Sequence, residues 1–246
     1  MILQSFANAL RKQDWVTVVL ETLIVVLGVF LGLQVNNWNE GRQQHALKGY
    51  YLERLEADLE ETKTYLSSQN SRSVRYREII DVFLTVLNDP GADDETLLRA
   101  LRPYLAEATN QLGLDATTAT FDDLSATGNL GVLDNPELVE ALVELHTAIK
   151  RYEEDLAVNT TWLQPQESGL AKDFDWLRYD PSTNHLFPKK PAAQLAGEAR
   201  AAEVMLRRHA AIHYWFLQAV SADYQDTIEK TESVLTMVRE ELGTRP

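Results

Sequence analysis

Residues 15–35, WVTVVLETLIVVLGVFLGLQV, constrain this chain more than any other stretch: 21 residues carry one charge, Glu21. At about 1.5 Å per residue a helix of this length spans roughly 30 Å, the hydrocarbon thickness of a bilayer. Trp15 and Trp38 stand at its two ends, where amphipathic indoles favour the headgroup layer. A buried core helix rarely stays apolar on every face for so long. A cleaved signal peptide needs a small-residue cleavage site, and QVNNWNE offers none. The segment reads as a single membrane-spanning helix over residues 15–38. An amphipathic lead-in precedes it at residues 1–14, with Ile2, Leu3, Phe6 and Leu10 at helical spacing.

Within the span the small and polar residues fall on one stripe. Glu21, Val25, Gly28, Gly32 and Val35 follow a 4-3-4-3 spacing. Gly28 and Gly32 form a G-x-x-x-G pair that lets two helix backbones approach closely. Leu20, Leu23, Leu27, Phe30 and Leu31 lie on the other faces and suit lipid. An ionised carboxylate in hydrocarbon costs at least ~2.5 kcal/mol, so Glu21 must be protonated, paired or turned to an interior. Its place on the glycine stripe points to an interior made by self-association. A plainer account has Glu21, six residues from Trp15, reaching toward the interface.

Cysteine is absent, which excludes disulfides and thiolate metal sites. The formal net charge is -14, yet residues 1–48 carry Arg11, Lys12, Arg42 and Lys48 against Asp14, Glu21 and Glu40. The remainder is therefore strongly acidic and should repel nucleic acid. Positive charge stands on both sides of the span, so the positive-inside rule decides orientation only narrowly. The expectation is a short tail inside the cytoplasm and a large domain outside it.

Beyond the span, residues 39–246 read as an extramembrane helical bundle, which makes the fold all-α: one transmembrane helix, then an elongated antiparallel bundle. A first helix runs from Asn39 to Asn88, with the polar run Ser67–Ser73 as its candidate interruption. A second runs from Glu95 to about Ala108, kinked or ended by Pro103. Phe121–Thr127 is a short helix capped by Gly128. Asn135-Pro136 opens a helix to roughly Leu163. Residues 164–192 contain Pro165, Pro181, Pro188 and Pro191 interspersed with Phe174, Trp176, Leu177, Tyr179, Leu186 and Phe187, and read as an irregular aromatic loop without strands. A last helix covers Ala192 to Leu242.

Two of these regions resemble a family of uncharacterised bacterial single-pass membrane proteins, known as a domain of unknown function. One is LETLIVVLGVFLGLQVNNWNEGR, Leu20 to Arg42, with the N-N-W-N-E string after the membrane helix. The other is FDDLSATGNLGVLDNPELVEAL, Phe121 to Leu142. Glu21, Asn36, Asn37, Trp38, Asn39 and the Gly128–Asn135 turn correspond residue by residue. The resemblance implies membrane attachment and no established activity. The amides of Asn36, Asn37 and Asn39 could satisfy exposed carbonyls or bond between neighbouring helices; in an oligomer they would form a polar ring above Glu21.

Catalytic signatures are missing: there is no G-x-S-x-G, P-loop, dinucleotide glycine fingerprint or H-E-x-x-H. The chain therefore reads as a non-enzyme without cofactors. His209 and His213, at i and i+4, are the one candidate metal pair, needing Glu140 or Glu144 as a third ligand. The plainer account is a hydrogen-bonded pair. His146 reads as a bundle histidine, and the acidic runs Asp58–Glu61, Glu153–Asp155 and Glu240–Glu241 as solvated faces. Three function classes follow. The first is a membrane-anchored interaction or assembly protein, homo-oligomeric through the glycine stripe, with room for a protein partner. The second is an oligomeric ion-conducting protein with Glu21 facing the axis. The third is a ligand-sensing bundle using the aromatic loop.

Overall fold

The apolar stripe that begins at Trp15 forms one helix, α1 (Trp15–Leu87), 73 residues long. The computed structural model describes residues 15–107, 112–173, 177–180, 182, 185–188 and 191–243. The lead-in at 1–14, the side chain of Trp15, and Phe174 and Trp176 of the aromatic stretch lie outside the described residues. Cα packing divides the chain into two units, Met1–Tyr51 and Leu52–Pro246, and α1 contributes to both.

In the first unit every described side chain from Leu20 to Glu40 is exposed. This is the one helix among the described residues long and apolar enough to cross a membrane.

Among the described residues the second unit is helical apart from one hairpin and the connecting segments. Ser67–Ser73 does not interrupt α1. Ser68 and Ser71 turn their hydroxyls back to the carbonyls of Tyr65 and Ser67, while Gln69 and Ser73 are buried. A turn follows, in which the Asp93 carboxylate accepts from the Thr96 amide at 2.8 Å and caps α2 (Asp94–Glu107). That bond holds the Asp93 carboxyl below its ordinary range. Pro103 sits inside α2 without ending it: it lies on the exposed face, while Leu97, Leu101, Tyr104 and Leu105 anchor the other.

α3 (Ala119–Ala126) ends as the sequence predicts. Gly128 takes φ 71°, a left-handed conformation that glycine adopts without a Cβ clash. A 3-10 turn over Asn129–Leu133 leads through Asp134, also left-handed at φ 54°. Asn135 then caps α4 (Pro136–Asp173), its Oδ1 accepting from the amides of Glu137 and Leu138 at 3.1 Å.

The structure departs from the sequence reading after Leu163. α4 continues through the exposed Pro165 to Asp173; a proline on a solvent face removes one hydrogen bond without ending a helix. Where an irregular loop without strands was expected, β1 (Leu177–Asp180) and β2 (His185–Pro188) pair antiparallel, Leu177 opposite Pro188 and Asp180 opposite His185. The expected last helix is two, α5 (Ala192–Ala201) and α6 (Glu203–Leu242), broken at Ala202 with φ -102° and ψ 11°.

Side-chain bonds fix the helix directions. Arg239 of α6 meets Glu56 and Glu60 of α1 at 2.8 and 2.5 Å, Lys63 meets Glu232 at 3.0 Å, and Ser73 meets the carbonyl of Leu217. Rising numbers on α1 thus pair with falling numbers on α6. α4 follows the same register: Asn135 bonds Glu241 and Tyr152 bonds Asp226. α1 and α4 therefore both run antiparallel to α6. The core includes Phe83, Leu101, Tyr104, Leu206, Leu217 and Tyr224, each 1 % exposed or less. Burying a side chain of this kind stabilises by roughly 1.5–3 kcal/mol.

Candidate functional site

Helical spacing alone places the glycine stripe. At about 100° per residue, Glu21, Val25, Gly28, Gly32, Val35 and Asn39 share an arc of about 80° on α1. A Cβ added at Gly28 or Gly32 would meet no atom within 4 Å. The apolar side chains around them stand 48 % to 65 % exposed from Leu20 to Val35, so the groove and its flanks are open along the whole span.

At the end of the stripe the Asn36 amide donates one N–H to Glu40 Oε1 at 2.6 Å, within its own helix. Trp38 is 69 % exposed, and the Arg42 guanidinium lies 5.7 Å from its ring centroid. A cation over an indole gives the helix end an amphipathic anchor of the kind that headgroups favour.

The metal candidate lacks its third ligand. His209 and His213 are buried on α6, but the register that pairs Asn135 with Glu241 and Tyr152 with Asp226 puts Glu140 and Glu144 beside the far end of that helix. Among the described residues no group of three metal-ligating side chains forms. Instead Tyr104 Oη, from α2, lies 2.5 Å from His209 Nδ1. Burial pushes both imidazoles down to about 4 and the Tyr104 hydroxyl up.

The stretch from Thr117 to Asp123, which leads into the second motif, is a docking element. Arg54, Asp58 and Thr62, four residues apart on α1, meet it in turn: Arg54 bonds Asp123 at 3.2 Å, Asp58 accepts the Thr120 amide at 2.9 Å, and Thr62 exchanges bonds with the backbone of Thr117. From α4, His146 Nε2 lies 3.7 Å from Asp122 and its ring 4.5 Å from Phe121. Between them is a cavity of ≈ 30 Å³, room for a water or two. It is lined chiefly by apolar side chains such as Leu55, Leu142 and Ile149, too small for an organic ligand. Two of the three acidic runs, Asp58–Glu61 and Glu240–Glu241, are likewise more than solvated faces. Asp58, Glu60, Glu61 and Glu241 each bond a neighbouring element. The i, i+4 spacing of Arg54, Asp58 and Thr62 was the available signal for this docking.

Comparison with protein-family models, with curated proteins and with solved structures returns no match for this chain.

Proposed function

We propose that the chain is a membrane-anchored assembly protein that self-associates through the Glu21–Gly28–Gly32 stripe and presents its helical second unit to a protein partner. The observation that carries this is the open apolar helix surface from Leu20 to Val35, with free space over both glycines. Exposed apolar area of this extent requires cover, lipid on the leucine faces and a close-packed helix at the glycines. The resemblance of Leu20–Arg42 and Phe121–Leu142 to a single-pass membrane family supports the anchor. In this proposal the second unit lies outside the cytoplasm. A reporter enzyme active only there, fused after Pro246, should be active. No reaction is assigned, because the side chains that converge bind helices to one another.

Native mass measurement of the detergent-solubilised full chain tests the assembly. A defined oligomer is expected. A monomer at every detergent concentration would overturn the proposal.

A further inference from the structure

The buried cluster at Tyr104, His209 and His213 has no part in the membrane stripe, and its protons are arranged in an unusual way. Tyr104 is 1 % exposed and its ring stacks on Phe83 of α1 at 4.2 Å between centroids. Burial keeps its hydroxyl protonated, so Oη–H donates to His209 Nδ1 and leaves the imidazole proton on Nε2. That Nε2 is buried without a hydrogen-bond partner, and so is Nδ1 of His213, whose ring centroid lies 5.9 Å away.

A second proton on His209 has one place to go, Nδ1, where it would face the Tyr104 hydroxyl proton. The hydroxyl would have to turn and accept, leaving its own proton without an acceptor in the core. Two imidazolium rings 5.9 Å apart would also repel. Among the described residues no carboxylate offsets this. The charged groups of the packed elements pair elsewhere: Arg99 with Glu95 on α2, Arg200 of α5 with Asp94, Arg207 with Glu203 on α6, while the half-buried Arg77 of α1 donates to Ser221 Oγ of α6. Arg102 and Arg208 are exposed. α1 presents the neutral Phe83 ring.

We propose that Tyr104, His209 and His213 form an acid-released latch: neutral imidazoles hold α2 on α6, and protonation lets α2 lift away. The sign follows from the depressed values. A histidine held down to about 4 against 6.5 in the released state favours docking above pH 6.5 and opposes it as pH falls toward 4. At pH 5 each imidazole shifts the open-to-closed ratio by about 30-fold toward open.

Because the chain has no cysteine, two can be introduced for spin labels, at the exposed positions Arg102 on α2 and Lys150 on α4. In the labelled full chain, one narrow distance at pH 7.5 should give way to a second, broader population near pH 5. In the double variant His209→Gln with His213→Gln, that population should be absent at pH 5. Tyr104→Phe removes the donor that favours neutral His209 and, because two protons drive release, should move the midpoint upward by about 0.4 pH unit. A wild-type distance unchanged down to pH 4.5 would overturn the latch. So would release at the same midpoint in the histidine double variant, or an unmoved midpoint in Tyr104→Phe.

Discussion

The hydroxyl of Ser73, on α1, donates to the main-chain carbonyl of Leu217, on α6, across 2.9 Å and 144 positions of sequence. Ser73 has no exposed surface, so the helices touch closely at a residue too small to hold them apart. Ser73→Ala should cost about 1 kcal/mol through the lost bond. Ser73→Leu should cost ~1–3 kcal/mol more, because its side chain must be forced into a filled contact. Thermal unfolding followed by circular dichroism checks both, and a leucine variant as stable as the alanine one would show that the contact is loose.

Ser73 also shows where a sequence stops being legible. The run Ser67–Ser73 reads as a break because serines in loops and serines at close helix contacts look alike; the partner that decides between them is far along the chain. The 4-3 stripe of Glu21–Val35, the Asn135 cap and the Gly128 turn were readable because each depends on neighbours within a turn or two. Pro165 misled for a different reason. A proline ends a helix only when packing cannot compensate, and this one occupies an exposed face. The histidine pair was visible by its spacing, but its third member was Tyr104 on α2 rather than a glutamate on α4.

Asn135 joins the second motif to α6. Its Oδ1 caps α4 while its Nδ2 donates to Glu241 at 2.7 Å. Asn135→Ala removes both functions and should cost about 1–2 kcal/mol in urea unfolding. Asn135→Asp keeps the cap but sets a second carboxylate against Glu241. Its loss should be smaller and should shrink further at high salt. Equal losses in the two variants would mean that the cap contributes nothing.

Tyr152 donates to Asp226 at 2.7 Å. Lys230 first, and Tyr152 second, hold that carboxyl below its ordinary range. A depressed carboxyl stabilises the fold above its unfolded value and loses that contribution as pH falls through the folded one, here below about pH 4. Tyr152→Phe should therefore cost about 1 kcal/mol at neutral pH and less at pH 3. Stability curves against pH for both proteins check this; a constant difference across the range would remove Asp226 from the explanation.

Self-association through the glycine stripe is most directly tested by native mass measurement of Gly28→Leu with Gly32→Leu beside Leu27→Ala with Leu31→Ala. Either glycine opens onto free space, and a leucine there would fill the groove that close dispersion contacts require. The double leucine variant is expected to fall to a lower oligomeric state. The double alanine variant, altered outside the stripe, should keep the wild-type mass. An unchanged oligomer in the double leucine variant would contradict the account and leave Glu21 without an interior to face.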